Sequence, residues 1–298
     1  MTFADPKSDI AFKKVFGNEN RTDILISFLN AVLDLHDEHA IAELTILNPY
    51  QAPKISILKE TNLDVRAKTH GGVTFIVEMQ VEKQDYFAKR ALYYTAKAYV
   101  AQIEKAGQYP KLNQVIFIGI MDFTLFKTPD YFSTHLMLDK KSHAQEIKDL
   151  ELNFIELPKF TKPLEELNTI VEKWVYFFQH ADDLSIIPEP LSEPPELVEA
   201  FGILEQHTWS QEELDIYDYW AMKEAGHQDA LSTAKRDGYA EGMQQGMQQG
   251  MQQGMQQGRQ ENAMAMLRDG VAVEQVIKWT GLNRKEVEML RREFHLLS

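Results

Sequence analysis

Apolar and polar residues alternate in two short stretches of the first third of the chain, and a period of two predicts β-strand. In the first, Leu63, Val65 and Ala67 are apolar against Asn62, Asp64, Arg66 and Lys68. In the second, Val73, Phe75, Val77, Met79 and Val81 stand against Thr74, Ile76, Glu78, Gln80 and Glu82. The loop length sets the register. A two-residue turn at Gly71-Gly72 would place Asp64 opposite Met79 and send Glu78 to the other face. A three-residue loop, His70-Gly71-Gly72, pairs Thr69 with Val73, Val65 with Val77, Asp64 with Glu78 and Asn62 with Gln80. Only the second register makes one apolar face and gathers the polar groups on the other, so it is the expected one.

Around this pair the pattern changes period. Residues 8–35 repeat at helical spacing in two segments: Phe12, Val15 and Phe16 in the first, then, beyond Gly17-Asn18, Ile24, Leu25, Phe28, Leu29, Val32 and Leu33. Residues 41–47 and 54–59 are strand-like. Residues 84–106 predict a helix, and QVIFIGIM at 114–121 is apolar on both faces, as a central strand is. Strands at 133–138 and 152–156 and a helix at 163–180 follow. Strand, crossover helix and buried strand together predict an α/β core with a mixed central sheet flanked by helices.

The expected boundaries are a core at 1–181, a proline-rich acidic linker at 182–195, a helical region at 196–241, a GMQQ repeat at 242–258 and a small helical module at 259–298. The repeat reads either as a helical stalk, weakened by its glycines but with a small-residue stripe for self-association, or as a flexible linker. EQVIKWTGLNRKEVEMLR has the cadence of a helix-turn-helix presenting Arg284 and Lys285, or of a packing or dimer module.

Composition narrows the chemistry. The chain has 298 residues and no cysteine, which excludes disulfides and cysteine zinc sites. There is no HxH or HExxH grouping. Nothing at the N-terminus resembles a signal peptide and no apolar run approaches the roughly 18 residues of a spanning helix, so a soluble, cytoplasmic protein without membrane association is expected. Net charge is −14, but residues 1–111 hold 14 Lys+Arg against 14 Asp+Glu, leaving 17 against 31 in the remainder. The N-terminal part is therefore neutral and able to meet phosphates.

Like charges opposite each other in a ladder are destabilising unless a proton or cation intervenes. Asp64 and Glu78 are thus either solvated decoration or ligands of a hard cation such as magnesium or manganese, which lowers the pKa of bound water and offsets phosphodiester charge. Asp9 is either a helix cap, with Ser8 the other candidate, or a further metal ligand. Lys89 and Arg90, on the basic and aromatic helix after the second strand, are the candidates to touch a nucleic-acid backbone, against a plain solvated face.

SDIAFKKVFG, ILISFLNAVL, LDVRAK, IVEMQ, KRALYY and NFIELPKF, spanning roughly residues 5–160, resemble the bacterial recombination-promoting nuclease and transposase family of the PD-(D/E)XK superfamily. The resemblance implies a restriction-endonuclease-like core and a Mg2+-dependent DNA endonuclease, with Mn2+ or Ca2+ as alternatives, linked to recombination. It makes Asp64 and Glu78 the metal ligands, with Asp9 assisting, and puts Gln80 where the superfamily has lysine. A glutamine orients water but neither deprotonates it nor carries charge, and Lys68, on the face of Asp64 by alternation, is the candidate replacement. Rival readings are a degenerate core that binds DNA or a protein partner, with the repeat and tail as an oligomerisation device, and RNA as substrate.

Overall fold

The computed structural model describes residues 2–51, 61–103 and 109–296. The predicted strand at 54–59 lies outside the described residues. Contacts divide the chain into two compact units, 1–221 and 222–298.

The first unit begins with α1 (Asp9–Phe16) and α2 (Thr22–Val32). Ser8, not Asp9, caps α1: its Oγ accepts from the N–H of Ala11 at 3.3 Å. The strands are β1 (Leu44–Ile46), β2 (Tyr50–Gln51), β3 (Thr61–Asn62), β4 (Val65–Thr69) and β5 (Thr74–Gln80). After β5 come α3 (Phe87–Ala101), β6 (Val115–Met121), β7 (Phe132–Leu136), β8 (Leu150–Glu156) and α4 (Ile170–His180). Six strands form one sheet in the order β1-β4-β5-β6-β8-β7. β5, β6 and β8 are parallel and the outer pairings antiparallel. This is the mixed sheet with flanking helices that the pattern predicts.

β4 and β5 pair Val65 with Val77 and Lys68 with Thr74, and the N–H of Thr69 donates to the carbonyl of Val73 at 3.0 Å. The three-residue loop is therefore the one adopted, with Gly72 at φ 97°, where a side chain would be strained. Two expectations need correction. Asn62 does not pair with Gln80; it pairs with Tyr50 in a separate two-stranded sheet, because the chain bends at Asp64 and leaves the ladder. Nor is one face of β5 polar. Phe75 and Val77 enter a core with α1, α2 and α4, while Ile76 enters a second core with Phe87, Ala91, Tyr94 and Ala98 of α3. A strand covered by helices on both sides buries both faces, and only its last residues escape.

The proline-rich stretch is folded rather than extended. It holds α5 (Glu189–Ser192) and leads into α6 (Pro195–Leu204), whose Leu197, Ala200, Phe201 and Leu204 join Leu191 in the main core. Pro188 and Pro194 stand at the N-caps and Pro190 and Pro195 in the first turns, where no intrahelical N–H bond is lost. The core thus runs past the boundary expected at 181. α7 (Gln211–Arg268) carries the GMQQ repeat as continuous helix, followed by α8 (Val273–Thr280) and α9 (Arg284–Leu296). Among the described residues no helix is long and apolar enough to cross a membrane.

Candidate active site

The polar end of β5 lies where the strand emerges from under α3. Asp64 stands one position beyond the β4–β5 ladder, opposite Glu78, and the two are cross-bonded through each other's backbone. The N–H of Asp64 donates to Glu78 Oε1 at 3.1 Å, and the N–H of Met79 donates to Asp64 Oδ2 at 2.9 Å. Among the described residues each carboxylate accepts one of these backbone bonds through one oxygen, and the second oxygens, Asp64 Oδ1 and Glu78 Oε2, stand outside the cross-bonded pair.

Burial makes this pair electrostatically uncomfortable. Glu78 is only 4% exposed, and its pKa is pushed up to about 8, first by desolvation and then by the charge of Asp64. That of Asp64 rises to about 6, chiefly by desolvation, with the Met79 N–H and Lys13 opposing. The nearest ion-pair partner is Arg90, whose Nη2 lies 3.9 Å from Glu78 Oε2. Arg90 is braced by Gln84 Oε1, by Gln80 Oε1 and by the faces of Phe87 and Tyr94, at 4.8 and 5.7 Å. The other end of the Gln80 amide donates to the carbonyl of Glu82 at 3.1 Å. One arginine of α3 therefore ties together the glutamine and the second carboxylate.

The remaining candidates are placed as follows. Asp9 is the exposed first residue of α1, 2.6 Å from Lys13, and its charge acts on Asp64. Lys68 lies four strand positions from Asp64, opposite Thr74 on one side and Thr45 on the other. Lys13 and Arg90 are the cations whose fields counter the charge on both carboxylates. Lys89 is exposed, 5.6 Å from the Tyr86 ring, in an open cleft lined by Tyr86, Arg90, Tyr93 and Tyr94.

The pattern along the chain did not pick out Lys13, because in sequence it is one lysine of an exposed i,i+4 pair. It also missed a neighbouring cluster. Asp122, at the end of β6, donates its N–H to the carbonyl of Gln80 at 3.0 Å, and Lys7 stands 3.7 Å from its carboxylate and 3.6 Å from that of Asp5. Burial raises the pKa of Asp5 to about 6.

Among the described residues no three His, Asp or Glu side chains are gathered as a metal cage. Magnesium does not need one, since it keeps most of its waters and is held through one or two carboxylates. Two facing desolvated carboxyls, each with an oxygen outside the cross-bonds and each pushed towards protonation, are a donor set that a hard divalent cation fits.

The description "PD-(D/E)XK nuclease family transposase" matches residues 6–234, and the chain belongs to that family. Neither the curated proteins nor the solved structures include a significant match. Membership carries a nuclease-like function, in a superfamily whose enzymes generally use divalent metals.

Proposed function

We propose that the chain is a metal-dependent DNA endonuclease that hydrolyses phosphodiester bonds in recombination or transposition-like processes. The observation that carries this reading is the Asp64–Glu78 pair, buried, cross-bonded and short of positive charge at the open end of β5. Asp64 and Glu78 would hold magnesium, with manganese or calcium as substitutes and Asp9 as a supporting acid. Bound there, the ion supplies positive charge against the phosphodiester and acidifies the water in its shell.

The chain's own groups do the rest. Gln80, immobilised by Arg90, orients water through its amide but cannot take a proton, so its contribution is positional. Arg90 offers the phosphate a planar fork. Lys89 stands one residue away on the solvent side of α3 as a second phosphate contact, and Lys68 extends the positive surface along β4.

Plasmid nicking by wild type, Asp64→Ala and Glu78→Ala, each with magnesium, manganese, calcium or chelator, tests the reading. Cleavage that requires metal and both carboxylates is the expected result. Cleavage by Asp64→Ala at the wild-type rate would remove the assignment. Absence of cleavage under every metal, with DNA still bound, would transfer the fold to a binding role.

A further inference from the structure

The second unit contributes none of the residues of the carboxylate site, yet it carries a charged surface of its own. The last turns of α7 pack with α8 and α9 around a small core of Ala263, Val276, Leu282, Val287 and Leu290. The joint between α8 and α9 is tight. Gly281 takes the left-handed conformation at φ 70° and its N–H closes α8 on the carbonyl of Ile277 at 3.0 Å. Leu282 turns inward, and Asn283 begins α9 with a reciprocal cap. Its Oδ1 accepts from the N–H of Glu286 at 3.0 Å, and Glu286 Oε2 accepts from the N–H of Asn283 at 2.8 Å. Two short helices joined by a fixed glycine turn, with the end of a third helix packed on them, have the connectivity of a helix-turn-helix.

The orientation of α9 follows from its buried positions. Val287 and Leu290 face the core, so the helical period turns Arg284, Lys285, Glu288, Met289, Arg291 and Arg292 to solvent, and all are exposed. Among the described side chains of α9, four cations and one carboxylate share this face, out of keeping with a chain of net charge −14. Arg284 is partnered by Glu274 at 3.1 Å, while Lys285, Arg291 and Arg292 have no ion-pair partner among the described residues. A helix face of this sign complements a polyanion, and a helix fits the major groove of B-form DNA.

We propose that α9 is a recognition helix that seats this face in the major groove of duplex DNA. Its N-terminal residues Arg284, Lys285, Glu288 and Met289 face base edges, and Arg291 and Arg292 meet phosphates. The tail then tethers the protein to DNA independently of the carboxylate site.

The test is equilibrium binding of the full chain to a short labelled duplex in chelator, where cleavage plays no part, so failure here and failure of the nuclease reading are separate results. Arg291→Gln/Arg292→Gln is expected to weaken binding by about tenfold and to make the dependence of log K on log salt shallower by nearly 2, at about 0.9 per phosphate contact. Lys285→Gln should weaken binding without changing far-UV circular dichroism. The control Lys235→Gln/Arg236→Gln removes the same charge from an exposed stretch of α7 and should leave affinity within about twofold. Four outcomes would overturn the proposal: unchanged affinity and slope in the α9 variants; an equal loss in the control, which reduces the effect to net charge; an equal loss on an RNA duplex, whose deep narrow major groove side chains cannot read; or loss of self-association in the α9 variants with DNA binding intact, which makes the face an interface between copies.

Discussion

Replacing Glu78 with Gln should stabilise the metal-free protein while abolishing cleavage, and the gain should grow with pH. Glu78 has a folded pKa of about 8 against 4.5 for the unconstrained group. The folded state therefore binds more protons than the unfolded state between those values, and stability falls as pH rises through that window. At about 1.4 kcal/mol per pKa unit the loss is roughly 5 kcal/mol once Glu78 is fully ionised and roughly 3 kcal/mol at pH 7. A neutral glutamine escapes it. Its Oε1 can still accept from the Asp64 N–H, so the geometry of the pair survives. Chemical unfolding followed by circular dichroism in chelator should thus show almost no difference near pH 4.5, a gain of a few kcal/mol at pH 7, and the largest gain above pH 8. Magnesium should raise the stability of wild type at pH 8 and leave Glu78→Gln nearly unmoved, because the variant lacks the second carboxylate. A gain of the same size at every pH, or none at any pH, would refute the electrostatic argument. An equal magnesium effect on both proteins would refute the metal assignment.

Arg90→Lys keeps a charge beside Glu78 but loses the fork that reaches Gln80 and Gln84 together, so kcat in the nicking assay should fall at least tenfold with the fold retained. In the repeat, an added Cβ at Gly246 or Gly250 meets nothing within 4 Å, so alanine there should stabilise α7 by about 1 kcal/mol per site, read as increased helicity and a higher melting temperature for the second unit. Melting unchanged by both substitutions would mean that the repeat is not helical in solution.

How far the fold can be read from the sequence depends on which signal each element carries. The β4–β5 register is legible because glycine spacing and alternation constrain it together, and Val65 does face Val77. α3 and β6 follow from period and from a run apolar on both faces. The core boundary is less legible, because proline reads as a linker in composition but as a helix start in structure, and the burial of Leu191, Leu197 and Phe201 decides between them. The repeat is legible only as far as two alternatives, helical stalk or flexible linker: its methionines recur every four residues, but Met243, Met247, Met251 and Met255 are all exposed, so no buried stripe decides for the helix.

The site divides along the same line. Two carboxylates brought opposite each other by a hairpin are a local consequence of sequence, and so are visible in it. The cation that acts on them from outside the hairpin and its following helix, Lys13, comes from α1, far away in the chain, and only the packing of helices against the sheet brings it there. Arg90 lies between these cases. Its position one turn into the helix after β5 makes it a candidate from sequence, but its hold on Gln80 depends on where the crossover begins. Because α3 starts beside the carboxyl end of β5, its first turn delivers a fixed cation to the position where the strand itself has a glutamine. A glutamine there is then no loss of charge from the site, provided that Arg90 remains locked to it. If Gln80 stands where the family resemblance implies a lysine, the Gln80–Arg90 contact, rather than Gln80 alone, is the unit to compare with that lysine. Exchanging Gln80 for Lys should consequently lower activity in the nicking assay, because two cations would compete beside Glu78 and Arg90 would keep only Gln84 of its two side-chain amide acceptors.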